Sequence, residues 1–123
     1  MDTPDIRRRR TIFACPVDVT LCMINGKWKP MILWLLNSGP QRFSDLQAAM
    51  PRVAHKVLSQ QLRQLEADGV IRRSARDVAP TTTSGYRLTA FGRTLRPALN
   101  ALASWGKTNH EAIGARYGVS DIE

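Results

Sequence analysis

The chain has 123 residues, enough for one domain with a modest hydrophobic core. Its formal net charge of +8 favours a polyanionic partner, either nucleic acid or an anionic membrane surface. No apolar run approaches the ~20 residues that span a bilayer, and no secretory signal follows the charged start. The two cysteines are too few to form a disulfide framework. We therefore expect a cytoplasmic protein without a membrane segment.

Residues 1–14 begin the chain and contain four consecutive arginines, Arg7 to Arg10. Such a run repels itself and has nothing to bury, so we predict a disordered basic arm. Two interpretations stay open. The arm is either a solvated tail or a segment that lies on DNA phosphates or enters a minor groove.

The next segment contains both cysteines. Asp18 is predicted to be the N-cap of a short helix over residues 19–24. Cys15 would then lie near a helix N-terminus and close in sequence to the arginine run, and both features favour the thiolate. Cys22 falls inside the helix. Two cysteines alone cannot complete a tetrahedral zinc site, so no metal is expected, and the alternative that either cysteine is simply inert stays open.

A second helix is predicted to begin near Pro30, whose missing N–H suits a first turn, and to end at residues 37–40. Its apolar residues follow the spacing of a core-facing side: Trp28, Met31, Ile32, Leu35 and Leu36. Trp34 points another way and fits either an interface or a partly buried surface position.

A short helix, a turn and a longer helix come next. Ser44 and Gln47 match a capping box, with Ser44 as N-cap and Gln47 reaching back, and residues 51–53 form a tight turn. The helix over residues 54–68 carries its leucines on one narrow face and ends at Gly69, which tolerates a positive φ. This order predicts a helix-turn-helix.

The polar side of the 54–68 helix carries long hydrogen-bonding side chains, which suits a recognition helix in a major groove. The predicted contacts on this helix are His55, Lys56, Ser59, Gln60 and Arg63. We assign Gln60 and Arg63 to bases and Lys56 to a phosphate. Further arginines are predicted to bind phosphates: Arg42, Arg52, Arg72, Arg73 and Arg76. The alternative is an ordinary amphipathic surface helix.

Two strands, 70–74 and 86–88, are predicted after Gly69, with a long polar loop between them. Helix-turn-helix followed by a hairpin is the order of elements in a winged helix. The predicted fold is therefore mainly α with a small β-hairpin (α+β), a winged helix-turn-helix with flanking dimerisation helices.

Thr89 is predicted to cap one final helix, which Pro97 bends. Its apolar residues recur at a heptad-like spacing: Phe91, Leu95, Ala98, Leu99, Leu102 and Trp105. A stripe of this extent predicts a two-fold homodimer, with the 19–24 helix packed against it. Packing of the stripe within one chain is the alternative. The predicted organisation is a basic arm over 1–14, a DNA-binding domain over 15–113 and a frayed tail over 114–123.

The sequence also resembles the HxlR-type winged helix-turn-helix transcriptional regulators of bacteria, over roughly residues 15–105. The residues that carry the resemblance are Cys15-Pro16, Gly26-Lys27-Trp28, Ile32-Leu33 with Leu36, Arg42-Phe43 with Leu46, Leu58 with Leu62, Leu65 to Gly69, Tyr86 to Thr89 with Gly92 and Leu95, and Trp105-Gly106. The resemblance implies a homodimeric DNA-binding protein that represses or activates nearby genes. Several members are similar to redox or electrophile sensors that use the cysteine of the CP motif, here Cys15.

Two departures from the family pattern concern DNA contacts. Ala54 stands where the family usually has a serine or threonine cap, which costs about 1 kcal/mol if nothing replaces it. Residues 81–85 have the sequence TTTSG, where the family usually has prolines and a basic residue.

We therefore predict a dimeric regulator that binds a pseudo-palindromic double-stranded DNA operator, with half-sites about 34 Å apart or a multiple of that distance. An oxidant or electrophile is the predicted effector at Cys15. One alternative is a regulator without a cysteine switch, either constitutive or responsive to a small ligand. Another is an RNA- or protein-binding winged module. No catalytic set or phosphate loop is evident in the sequence, so neither an enzyme nor a cofactor is expected.

Overall fold

The computed structural model describes residues 12–74 and 85–116. Within them the elements follow the order α1 Pro16–Ile24, α2 Lys29–Asn37, α3 Phe43–Ala49, α4 His55–Ala67, β1 Ile71–Arg73, β2 Tyr86–Leu88, α5 Ala90–Arg93 and α6 Arg96–Asn109. The mainly helical fold with one hairpin is confirmed. Most of the predicted basic arm, the predicted loop contact Arg76 and the end of the predicted tail lie outside the described residues.

The core forms around the leucine face of α4. Leu58, Leu62 and Leu65 are each at most 1% exposed, as the spacing predicts. In α2, Ile32 and Leu36 are buried as predicted, but two positions differ. Leu33 is fully buried whereas Met31 is 42% exposed. The buried arc of α2 is rotated from the predicted face because the helix packs against both β2 and α6.

Helix α1 begins earlier than predicted. Pro16 occupies its first turn, and Cys15 is the N-cap residue in an extended conformation. The Cys15 carbonyl accepts hydrogen bonds from the backbone N–H of Asp18 and of Val19, at 3.0 and 3.3 Å. The prediction of Asp18 as N-cap was therefore wrong, because proline tolerates the first turn and lets the helix start before the carboxylate.

Helix α3 also starts before its predicted cap. The carboxylate of Asp45 accepts a hydrogen bond from the backbone N–H of Arg42 at 3.0 Å, so Arg42 is the N-cap position and Ser44 lies inside the helix. Gln47 does not reach back. Its amide donates to the Val53 carbonyl at 2.8 Å. Gln47 therefore stabilises the turn that joins α3 to α4.

Helix α4 ends at Ala67, and Gly69 follows its C-cap Asp68 as the predicted stop. Gly69 has a φ of +79°, which a residue without Cβ adopts readily. The backbone N–H of Gly69 donates to the Glu66 carbonyl at 2.9 Å, and that of Val70 donates to the Leu65 carbonyl at 3.1 Å. These two bonds form a Schellman motif, which satisfies the last carbonyls and directs the chain into β1.

The hairpin is joined to the helix-turn-helix by backbone pairing. The strands are antiparallel, with Ile71 opposite Leu88 and Arg73 opposite Tyr86. Gln41, which precedes α3, forms a bridge to Tyr86 through two backbone hydrogen bonds of 3.0 and 2.7 Å. The start of α3 and the base of the hairpin therefore hold a defined position relative to each other.

The predicted final helix is two helices. The Thr89 hydroxyl accepts from the N–H of Gly92 at 2.8 Å and donates to the Gly69 carbonyl at 2.6 Å, so it caps the short α5. Helix α6 then begins anew, with Pro97 in its first turn. Pro97 marks a helix start instead of a bend because its missing N–H has no helical acceptor there. Among the described helices, none is long and apolar enough to cross a membrane.

Candidate nucleic-acid interface

The outward side of α4 presents a polar stripe. Lys56, Gln60 and Arg63 are exposed at i, i+4 and i+7, directly opposite the buried leucines. His55 is exposed in the first turn and Ser59 is half-buried. The five residues predicted for this helix therefore share its solvent side or its flank, and none lies in the core.

A shallow depression continues the stripe toward the end of α4. It is lined by Gln60, Arg63, Gln64 and Ala67. Gln64 is a candidate that the sequence interpretation missed, although it follows Gln60 by one helical turn, a spacing that places two side chains side by side. The depression combines amide and guanidinium groups, which are the groups that form bidentate hydrogen bonds with base edges.

His55 also has a packing role. Its ring lies 4.6 Å from the Phe43 ring, centroid to centroid, with the planes tilted by 47°. The contact joins the first residue of α4 to the first residue of α3. Helix α4 has no side-chain cap at Ala54, so this ring contact helps to hold its first turn against α3. Within the described residues, no three His, Cys, Asp or Glu side chains are grouped as a metal site would require.

The predicted phosphate-binding arginines are distributed over three elements. Arg42 lies at the start of α3 and Arg52 in the turn before α4, and both are exposed. Arg72 and Arg73 lie on opposite faces of the hairpin, because successive strand residues alternate. Arg72 is paired with Arg87, a basic residue that the sequence interpretation did not select.

Arg73 lies on the hairpin face that packs against α4. Its guanidinium is 5.7 Å from the centre of the Tyr86 ring. Burial raises the pKa of the Tyr86 phenol and is the largest effect on it. The positive charges of Arg73 and Arg63 lower this pKa, whereas the negative charge of Glu66 raises it further. Arg63 of α4 and Arg73 of β1 therefore both lie close enough to the Tyr86 phenol to influence it.

The cysteines differ in accessibility. Both are free thiols, with Cys15 exposed at the N-cap of α1 and Cys22 half-buried within the helix. Oxidants in solution therefore have better access to Cys15.

The predicted dimerisation stripe is divided by the break between α5 and α6. Leu102 and Trp105 are 55% and 61% exposed on α6, and Phe91 is 39% exposed on α5. Leu95 and Ala98 are half-buried. Leu99 was expected on the exposed stripe, but it is 4% exposed and belongs to the core of its own chain. Helix α1 also exposes several apolar side chains: Val17, Val19 and Leu21.

A short helix, a tight turn, a leucine-backed helix with a basic polar side and a paired hairpin define a winged helix-turn-helix protein. Residues 23–113 match the family model described as HxlR-like helix-turn-helix. The chain belongs to this family and is a transcriptional regulator of the HxlR type, which confirms the resemblance drawn from the sequence.

Relatives and solved structures agree with this assignment. The HTH-type transcriptional regulator YtcD of Bacillus subtilis (strain 168) is 46% identical over 102 residues, which cover 83% of this chain and 78% of that one. The redox regulator HypR in its reduced form has a TM-score of 0.73 at 35% identity, covering 80% of this chain and 97% of its own. The oxidised form of HypR has a TM-score of 0.69 at 38% identity, covering 77% of this chain and 97% of its own.

Proposed function

We propose that this regulator binds a pseudo-palindromic operator as a homodimer, with one α4 helix of each subunit in a major groove. The observation that carries the proposal is the exposed stripe of Lys56, Gln60 and Arg63 on a helix whose other side is fully buried. Gln60 and Arg63 would contact bases, and Lys56 would contact a phosphate. His55 and Ser59 would lie at the edges of the same contact.

Basic residues on three other elements support the proposal. Arg42 and Arg52 flank the helix-turn-helix, and Arg73 extends the positive surface to the hairpin. Contacts of this kind supply affinity without sequence preference, since they bind phosphates. Arg72 faces away from α4 and would contribute through the outer side of the hairpin, beside Arg87.

Selection of bound fragments from random duplex DNA tests this function. We expect an enriched motif with two inverted half-sites, bound by wild type far more tightly than unrelated duplex of equal length. Gel shifts with structured RNA of matched charge are the control. Equal affinity for RNA and for all duplexes would favour an RNA-binding module over an operator-binding regulator.

Dimerisation is the second part of the proposal. Leu102 and Trp105 on α6 and Val17 and Leu21 on α1 leave apolar side chains in solvent. Large exposed apolar surfaces typically mark interfaces, and a two-fold dimer would bury both helices at once. A protein that sediments as a monomer at micromolar concentration, with and without operator DNA, would contradict this part.

A thiol switch at Cys15 is the third part. Cys15 is exposed at the first turn of α1, next to the apolar surface assigned to the dimer. HypR, a structural neighbour, is named a redox regulator and is known in reduced and oxidised forms. Oxidation of two Cys15 thiols to an intersubunit disulfide would release two electrons and two protons, which diamide takes up as its hydrazine. The new bond would then shift the dimer between two arrangements.

The test compares operator affinity before and after diamide for wild type, Cys15→Ser and the matched control Cys22→Ser. We expect diamide to change the affinity of wild type and Cys22→Ser by at least several-fold and to leave Cys15→Ser unchanged. A response that is the same in all three proteins, or absent from all three, would exclude Cys15 as the sensor. The regulator would then lack a cysteine switch.

A further inference from the structure

A groove of about 450 Å³ lies between α2 and α6, away from the polar stripe of α4. Met31 and Trp34 form the α2 side, and Leu99 and Leu102 contribute from α6. Met31 and Trp34 are 42% and 39% exposed, whereas Leu99 is buried at 4%. The groove therefore has a closed apolar base and aromatic and thioether surface accessible from solvent, and its volume is in the range of small-molecule sites.

One end of this groove is basic. Lys107, His110 and Arg116 line it there, and none of the described residues that line the groove is acidic. The position of Arg116 follows from the turn after α6. The N–H of Ala115 donates to the His110 carbonyl at 2.8 Å, and His110 Nδ1 donates to the Ala115 carbonyl at 2.8 Å. This double contact folds the chain back, so that the basic side chains meet at the same end.

Gly106 lines the groove in the last turn of α6. A Cβ at this position would meet no heavy atom within 4 Å, so the space above it is empty. A methyl group at position 106 would therefore displace no protein atom. Gly within a helix is about 0.5–1 kcal/mol less stable than alanine, so this glycine costs helix stability and leaves the groove open.

We propose that the groove between α2 and α6 binds a flat, hydrophobic organic anion, such as an aromatic carboxylate. The ring system packs against Trp34, Met31 and Leu102, and the carboxylate lies at the end with Lys107 and Arg116. Charge complementarity selects this chemistry, since an apolar trough with only basic groups at one end favours a ligand with one apolar and one anionic part. Trp105, the large exposed aromatic residue of α6, lies outside the groove lining. Leu102 is common to the groove and to the surface assigned to dimerisation, so the two sites meet at this residue.

Calorimetric titration with 2-naphthoate tests the proposal, with the neutral 2-naphthamide as the matched probe. We expect saturable one-to-one binding of 2-naphthoate per chain and at least several-fold weaker binding of the amide. Gly106→Leu should abolish binding because its side chain fills the groove, whereas Gly106→Ala should retain most of it. Circular dichroism and thermal unfolding verify that both variants are folded.

Charge variants provide an independent test that does not depend on the size of residue 106. Lys107→Gln and Arg116→Gln should each weaken 2-naphthoate binding about 2- to 5-fold, the range for an exposed ion pair. Arg96→Gln, an exposed arginine at the start of α6, is the control and should leave the affinity unchanged. The amide should bind these variants and wild type alike.

Three results would overturn the proposal. Equal affinity for the two probes would show that the basic end selects nothing, and unchanged binding by Gly106→Leu would place the probe elsewhere. Absence of binding up to about 1 mM, together with conversion of a dimer to a monomer by Gly106→Leu, would assign the groove to a second copy of the chain. Operator binding is measured separately through Lys56→Ala, so failure of the ligand site and failure of the DNA interface are distinguishable.

Discussion

At the scale of single residues, Thr89 and Gly92 hold the end of α4 against the start of α5. Thr89 bonds to both Gly92 and Gly69, and a Cβ at position 92 would overlap the carbonyl oxygen of Val70. Gly92 is therefore required by a close approach of two backbone segments. Both residues carry the family resemblance in the sequence, and the contacts give a physical reason for them.

Gly92→Ala is expected to lower the free energy of unfolding by about 1–3 kcal/mol or more, because the backbone must move to admit the methyl group. Gly106→Ala is the matched control. Its Cβ meets empty space, so we expect a gain of about 0.5–1 kcal/mol from helix propensity. Urea unfolding measures both changes. A Gly92→Ala protein as stable as wild type would contradict the assigned contact.

Arg63 and Lys56 are predicted to differ in the kind of DNA contact they make. Arg63→Ala should weaken specific operator binding by about 1–3 kcal/mol and relax the preference at one base position. Lys56→Ala should weaken binding to all sequences alike. It should also reduce the slope of log affinity against log salt concentration by about 1. Fluorescence anisotropy with operator and scrambled duplexes at several salt concentrations separates the two effects. An Arg63→Ala protein with an unchanged isotherm and motif would refute the base contact.

The Tyr86 phenol is predicted to make the fold sensitive to alkali. Burial is the main reason why its pKa is raised above 10.0. The unfolded chain therefore releases the proton first as pH rises, so the stabilisation is full below pH 10 and is lost as pH passes the raised pKa. Urea unfolding from pH 8 upward should show a steeper loss of stability for wild type than for Tyr86→Phe. Tyr117→Phe, which removes the other tyrosine of the chain, is the control; parallel profiles for wild type and Tyr86→Phe would contradict the prediction.

At the scale of elements, the hairpin separates arginines that are adjacent in sequence. Arg73 shares a face with Tyr86 and Ile71, toward α4, while Arg72 lies beside Arg87 on the other face. Strand alternation determines this division, and it cannot be altered without shifting the register. A phosphate bound beside α4 would therefore meet Arg73 before Arg72.

Arg73→Ala is accordingly expected to reduce DNA affinity more than Arg72→Ala does, by about two-fold or more at low salt, where phosphate contacts are strongest. Both variants remove one positive charge, so a difference between them reports position and not net charge. Gel shifts at matched ionic strength measure it. Equal losses would indicate that the hairpin contributes only through its overall charge.

At the scale of the whole molecule, the exposed apolar side chains of α1 and α6 determine the proposed assembly. Trp105→Glu is expected to convert the dimer to a monomer and to lower operator affinity about 10²- to 10⁴-fold, because two linked half-sites are lost. Thr108→Glu places the same charge at another exposed position of α6 and should leave the dimer intact. Sedimentation equilibrium and gel shifts test both. A dimeric Trp105→Glu protein would move the interface away from this residue.

The spacing of apolar residues and the positions of residues that end helices were enough to predict the architecture. The leucine spacing of α4, the stop at Gly69 and the two short strands depend on interactions within a few residues, and the structure confirms them. Side chains on the polar side of α4 follow from the same spacing, because a face opposite a buried stripe is exposed by geometry. Two helix starts were predicted wrongly, because Pro16 and Asp45 allow α1 and α3 to begin earlier. The observed N-caps, Cys15 and Arg42, lie three and two residues before the predicted ones.

Only the tertiary structure decided which surfaces are covered. Burial of Leu33 in place of Met31, the break before α6 and the burial of Leu99 all depend on what packs against each helix, which no local spacing encodes. The same holds for the groove beside Trp34, because its two walls are far apart in the chain. Local geometry determined the helices and strands of this regulator, and contacts between distant segments determined which of their faces remain available for binding.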